Sequence, residues 1–288
     1  MRWFVGAMIL ALTIPVLACG GGDSNVSSPL AVGTPETQAP GPSPWEVYSS
    51  GPARDISSGL TAAAIMISTR DLSGTLERLA GQNTVETTAT ALHHLYFATF
   101  HCAQLRKLPR GTAAFNSVDD ACAGGQEMTS PIQSGNYEEV SDWAAETEAA
   151  AEDYFWQSCP VDKNAEGAQV LWAANLAVHS ENSWSDLSLS TEESLFSDSE
   201  LAFYAAAHVE GLCGLFLGAA RISPEGEPLF PALLERIDAP CSAADSQGLQ
   251  GLVATGQREQ ASALAWDIYK AAAGYLVSTC SSALSATK

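Results

Sequence analysis

Positive charge is what this chain has least of. Of its 288 residues only 13 are Lys or Arg, against 33 Asp or Glu, a formal net charge of −20. Lys occurs only as Lys107, Lys163, Lys270 and Lys288. Binding to a phosphate backbone needs the opposite sign, which excludes a nucleic-acid partner. The acidity bears on solubility and counter-ions, not on the fold. Strand patterning is missing as well: Leu187-Ser188-Leu189-Ser190 is too short an alternation for a hairpin. Also missing are Gly-x-Ser-x-Gly, the Walker loop, the Gly-x-Gly-x-x-Gly loop, the EF-hand spacing and His-Glu-x-x-His. No Cys-x-x-Cys pair, the spacing that zinc sites favour, is present.

The five histidines show no metal spacing. His94 and His101 share a helical face, but their separation along the axis is about 10.5 Å, too far for one ion. His93 points elsewhere. His208 falls on an apolar face with Leu201, Tyr204, Leu212 and Leu215 and reads as a core histidine. His179-Ser-Glu181 and His208-Val-Glu210 fit the His-x-Glu of zinc deaminases, but Pro240-Cys241-Ser-Ala-Ala lacks the second cysteine of the companion motif. These spacings lead us to expect no metal, no cofactor and no catalytic residue.

What is present starts at the N-terminus. Met1-Arg2 is a minimal basic start, and Trp3 to Leu17 is an apolar run. It closes on Val16-Leu17-Ala18-Cys19, followed at once by Gly20-Gly21-Gly22-Asp23. The layout is that of a secretory signal, and the run falls short of the roughly 20 apolar residues of a spanning helix. Val16-Leu17-Ala18-Cys19 resembles the lipobox of bacterial lipoproteins. The resemblance implies that residues 1–18 are cut away and that Cys19 carries a diacylglyceryl thioether and an acylated amine. Several acyl chains anchor stably where one is marginal. It further implies a lipid-anchored protein on the extracytoplasmic side of the bacterial membrane or envelope. Residues 19–50, with Pro29, Pro35, Pro40, Pro42 and Pro44 among Gly, Ser and Thr, form a disordered tether. Gly22-Asp23-Ser24 matches one block of a hydrolase family, but a tether with no preceding strand gives that motif no context.

Residues 51–288 read as a single all-α domain. Ile56, Leu60, Ala63 and Ile67, then Leu72, Leu76 and Leu79, recur at helical spacing with a one-residue shift, as a kinked helix or two short ones. Asn83 with Glu86, and Ser197 with Glu200, have the form of reciprocal caps. Further helices are expected through Cys102, over Ala114–Cys122, 136–159, Ala168–His179, Pro231–Asp238, Ser242–Ala254 and Ala261–Thr279. Leu201–Ala220 is apolar almost throughout and reads as a buried central helix rather than a membrane span.

The six cysteines beyond Cys19 are the second organising feature. In an exported chain an even number implies disulfides. Cys102, Cys122 and Cys159 form one set, and Cys213, Cys241 and Cys280 another. Each set ends on Tyr-x-x-x-[Ser/Thr]-Cys, at Tyr154–Cys159 and Tyr275–Cys280. This suggests a disulfide-stapled bundle of two duplicated three-helix halves, 83–160 and 197–281. Fifteen connectivities are open. The favoured one pairs Cys102–Cys122 and Cys213–Cys241 within helical hairpins and joins the halves by Cys159–Cys280.

The helix at 136–159 carries seven carboxylates opposite Val140, Trp143, Thr147, Ala151 and Tyr154. The plain reading is a solvated face, and the sharper one a dock for a cation or a basic protein partner. Two functional classes follow: a non-enzymatic binding or structural module held at the envelope, and an exported hydrolase whose His and Asp/Glu residues meet only in the fold.

Overall fold

The computed structural model describes residues 53–81, 85–108, 112–188, 199–221 and 229–286. All regular structure among them is helical. The leader, Cys19, the tether and the cap positions Asn83 and Ser197 lie outside the described residues.

Five helices make the first half: α1 (Ala53–Gly81), α2 (Val85–Leu105), α3 (Ala113–Ala121), α4 (Thr129–Ser134) and α5 (Tyr137–Ser158). Five more make the second: α6 (Gly167–Ser188), α7 (Ser199–Arg221), α8 (Pro231–Gln247), α9 (Leu249–Ala254) and α10 (Arg258–Ala286). Local chemistry sets several boundaries. Thr112 caps α3 by accepting the Phe115 N–H at 3.1 Å. Gly135, at φ +81°, closes α4 in the left-handed conformation that favours glycine. Pro231 opens α8, where its missing N–H has no intrahelical partner to lose.

Three expectations about these helices need correcting. The one-residue shift in α1 is not a break into two short helices, because the helix is continuous. It marks a change of partner. Leu60, Ala63, Ala64 and Ile67 face the large core, while Leu72, Leu76 and Leu79 face a smaller one with Leu95, Val140 and Trp143. The stretches Pro231–Asp238 and Ser242–Ala254 are not divided at Pro240, which sits inside α8. There the buried face of Leu233, Ile237, Cys241 and Ala244 runs through the proline and holds both sides to one core. Finally, α7 is not buried all round. Ala206, Val209, Cys213 and Phe216 are covered, but Phe203 and Leu215 are 40% and 45% exposed.

The halves repeat one plan. In each, the first helix runs along the last, α1 on α5 and α6 on α10, and the second packs on the first. In each, the tyrosine of the closing motif reaches back to the first helix. Tyr154 donates its hydroxyl to Ser58 at 3.0 Å, and Tyr275 to Gln169 Oε1 at 3.3 Å. This shared first-to-last packing involves α1 and α6, which lie outside the bounds 83–160 and 197–281. Gly59 lets α1 approach α5 closely: a methyl there would stand 2.7 Å from the Ser158 Cβ.

The disulfides are Cys102–Cys122, Cys213–Cys241 and Cys159–Cys280. The first two lie within a half, and the third joins the ends of α5 and α10. Its sequence separation is 121, against 20 and 28 for the others. On chain entropy the long closure contributes roughly 5 kcal/mol and each short one roughly 3.5 kcal/mol. Replacing each pair by alanines should accordingly lower the urea midpoint most for Cys159/Cys280. Equal shifts would mean that loop length does not set the ranking.

Candidate functional site

Polar side chains break the apolar stripes of four helices at helical spacing, and the fold brings the four interruptions together. Asp71 comes from α1, and His93, His94 and His101 from α2. His179, Asn182 and Asp186 project from α6, and Tyr204 and His208 from α7. The first two helices of one half thus meet the first two of the other across a polar seam. His93, His94, His101 and His179 are all buried.

The geometry is that of close pairs. His179 Nε2 stands 3.3 Å from Asp71 Oδ2, and His93 Nε2 3.7 Å from Asp186 Oδ2. Both carboxylate oxygens are buried, and neither contact has hydrogen-bond geometry. The His179 and His208 rings stack with centroids 4.1 Å apart. His93 meets His94 edge-on at 5.7 Å, and Tyr204 stands between His94 and His208 at 6.5 and 6.2 Å. His101 Nε2 lies 3.4 Å from Asn182 Oδ1. Arg258, at the start of α10, donates to the Asp186 backbone carbonyl at 3.0 Å.

Loss of water dominates the electrostatics. Burial pushes the imidazoles of His93, His101 and His179 down to about 4 and that of His208 to about 3. His94 is held well below its ordinary value by burial and then by the neighbouring His93. Burial raises Asp71 to about 6, against the pull of His208, and Asp186 to about 8, against the pull of Arg258. Their side chains keep 25% and 18% exposure, so solvent tempers both shifts, but the buried oxygens fix the direction. The seam thus favours the uncharged form of every member. Neutral imidazoles beside carboxyl groups can hold and exchange protons. Among the described residues no group of three or more His, Cys, Asp or Glu is arranged to hold a metal ion.

Several readings of single residues are thereby revised. His208 does sit on the covered side of α7, but it stacks on His179 rather than standing alone in the core. His93 points with His94 into the seam, not away from it. The two His-x-Glu matches come apart. Glu210 accepts the Gln250 N–H at 3.0 Å, and Glu181 lines a small apolar void with Leu60, Ala177 and Leu276. On the acidic helix α5, Glu138, Glu139, Asp142, Glu146 and Asp153 are exposed. Glu148 and Glu152 turn instead to Arg70 of α1, at 2.8 and 4.0 Å. The face is therefore not wholly without basic partners. The sequence reading missed the seam because it judged each histidine against its own helix. The usable signal was a run of polar residues along one face, as at His179, Asn182 and Asp186.

The shifts fix how stability follows pH. Each imidazole is held below its ordinary 6.5, so the unfolded chain binds more protons between there and about 4. Stability is lost as pH falls through that window. The two carboxyls act oppositely: held above 3.8, they stabilise on the acid side, and that contribution fades as pH rises through about 6 and about 8. Five imidazoles outnumber two carboxyls, so the melting temperature should peak near neutrality, with the steeper limb on the acid side. Differences from the parent isolate the seam from the general surface charge. His179→Gln should flatten the acid limb and Asp186→Asn the alkaline one. Parallel curves for parent and variants would refute the assignment.

Comparison with known protein families, curated proteins and solved structures finds no match to this chain.

Proposed function

We propose that this is a lipid-anchored protein of the extracytoplasmic bacterial envelope whose helical domain is a non-enzymatic binding or structural module. The carrying observation is a count. Seven cysteines are present, and the six in the helical domain pair with one another, which leaves Cys19 as the odd one. Cys19 is also the residue on which the lipobox-like stretch ends. Three disulfides suit an oxidising compartment outside the cytoplasm, and the Gly-, Ser- and Pro-rich stretch after Cys19 has the composition of a linker.

The hydrolase reading draws on one specific observation, the His179–Asp71 contact at 3.3 Å. A base oriented by a carboxylate is part of many hydrolytic sites. Against it, burial keeps His179 covered, and two concavities on the described residues lie elsewhere. One is the apolar void beside Glu181, and the other lies between Glu166 and Ser278–Ala283.

Two measurements test the proposal. Mass spectrometry of the native N-terminal peptide should find Cys19 as the first residue, carrying lipid, and Cys19→Ser should shift the protein from the membrane to the soluble fraction. An unmodified start elsewhere would overturn the anchor. Ester, amide and phosphomonoester substrates should show no turnover that depends on His179. Turnover abolished by His179→Gln would establish the hydrolase instead.

A further inference from the structure

The two halves are joined in three ways along their length. At one place Cys159–Cys280 bonds the ends of α5 and α10. Beside it the seam is apolar: Leu60 and Ala63 of α1 face Ala174, Ala177 and Val178 of α6, with Tyr269 and Leu276 of α10 against them. Further along it becomes polar, at Asp71, His93, His94, His179, Asp186 and His208. At this polar end α2 makes at most slight backbone packing with α6 or α7. The bridging contacts are those of side chains, His93 with Asp186, His101 with Asn182 and His94 with Tyr204. No disulfide crosses there, because Cys102–Cys122 holds α2 to the end of α3 and Cys213–Cys241 holds α7 to α8. The polar end is therefore the unstapled part of the junction, and what holds it shut depends on charge.

We propose that this seam is an acid-operated latch: protons taken up by its imidazoles part α2 from α6 and α7, while the apolar end and the Cys159–Cys280 bond act as the hinge. The proximity of the rings supplies the force. His179 and His208 are stacked at 4.1 Å, and His93 and His94 meet edge-on at 5.7 Å, so a second proton in either pair sets like charges side by side with little water between them. Opening readmits water and relieves both the repulsion and the desolvation.

The surrounding charges modulate the balance without reversing it. On α1, Arg78 disfavours positive charge on His94 and His208, and Arg70 and Arg78 both pull Asp71 down. Glu148 of α5 acts on Asp71 in the opposite sense. Arg258 of α10 favours the ionised form of Asp186, which in turn raises Tyr96 of α2. Glu181 of α6 lies nearer the apolar end, in the void beside Leu60. Asp71 and Asp186 hold protons in the closed form and so resist opening, but the imidazoles outnumber them.

Hydrogen exchange of the full chain, followed by mass spectrometry and corrected for the intrinsic effect of pH, tests the latch. Between about pH 7 and about pH 5, protection should fall on the order of tenfold or more in α2, in the second half of α6 and in the first half of α7. The helices α5 and α10 should keep theirs. The double variant His179→Gln/His208→Gln, with melting at neutral pH as its folding control, should stay protected at the lower pH. Loss of protection across all ten helices together, or none in the seam, would overturn the proposal. So would a folded double variant that opens like the parent. If the variant does not fold, histidine ring-proton NMR on the parent decides. Imidazoles that take up protons near their ordinary value while exchange in the seam is unchanged would refute the latch. Uptake displaced to lower pH, and concurrent with the loss of protection, would support it.

Discussion

Water is withheld from the groups that want it most. At the junction of the halves, imidazoles and carboxyls pack with ring separations down to 4.1 Å and with two buried carboxylate oxygens outside any hydrogen bond. Burying a charge without full compensation is costly, and the direction of every shift in the cluster shows the protein avoiding that cost by keeping the groups neutral. The arrangement persists because it is clamped from outside. The large core joins residues of both halves, and the Cys159–Cys280 bond holds their last helices together. Without that surrounding core the cluster would have no reason to exclude solvent.

The repeat gives the cluster its place. The two halves face each other so that α1 meets α6, and α2 approaches α7 through the His94 and Tyr204 rings. The apolar residues of α1 and α6 serve the common core. The polar ones meet polar partners across the junction, His179 with Asp71 and Asp186 with His93. The same facing explains the half-exposed α7. It is covered by α6, α8 and α9, and Phe203 and Leu215 on the other side stay 40% and 45% exposed.

Helical periodicity made the fold class readable, since the apolar residues of α5 and α10 fall on one face wherever the core requires them. Cysteine spacing went further than connectivity arguments usually allow, because two pairings lie inside helical hairpins and the third is what remains. The partner of each helix was less legible. The stripe in α1 looks like a fault in one helix until its two halves are seen to face two cores, and the gap expected between Pro231–Asp238 and Ser242–Ala254 ignored the buried face that continues through Pro240. The cluster was least legible of all. Each polar residue on its own helix is a minor blemish, and nothing in a single helix records that three other helices bring theirs to the same point. Only the run of His179, Asn182 and Asp186 along one face of α6 marks a stripe that needs a polar partner.

The cysteine order bears on how such a chain is made. Among the six cysteines after Cys19, the native bonds join first to second, third to sixth and fourth to fifth. A chain that emerges N-terminus first and pairs its thiols as they appear closes Cys102–Cys122 correctly and then joins Cys159 to Cys213. To reach the native state, Cys159 has to wait through most of the second half, or else surrender a wrong partner by thiol–disulfide exchange. Exchange of that kind takes seconds to hours and is hastened by an isomerase. The bond that ties the two halves together is thus the last to become available, since it waits for Cys280 of α10.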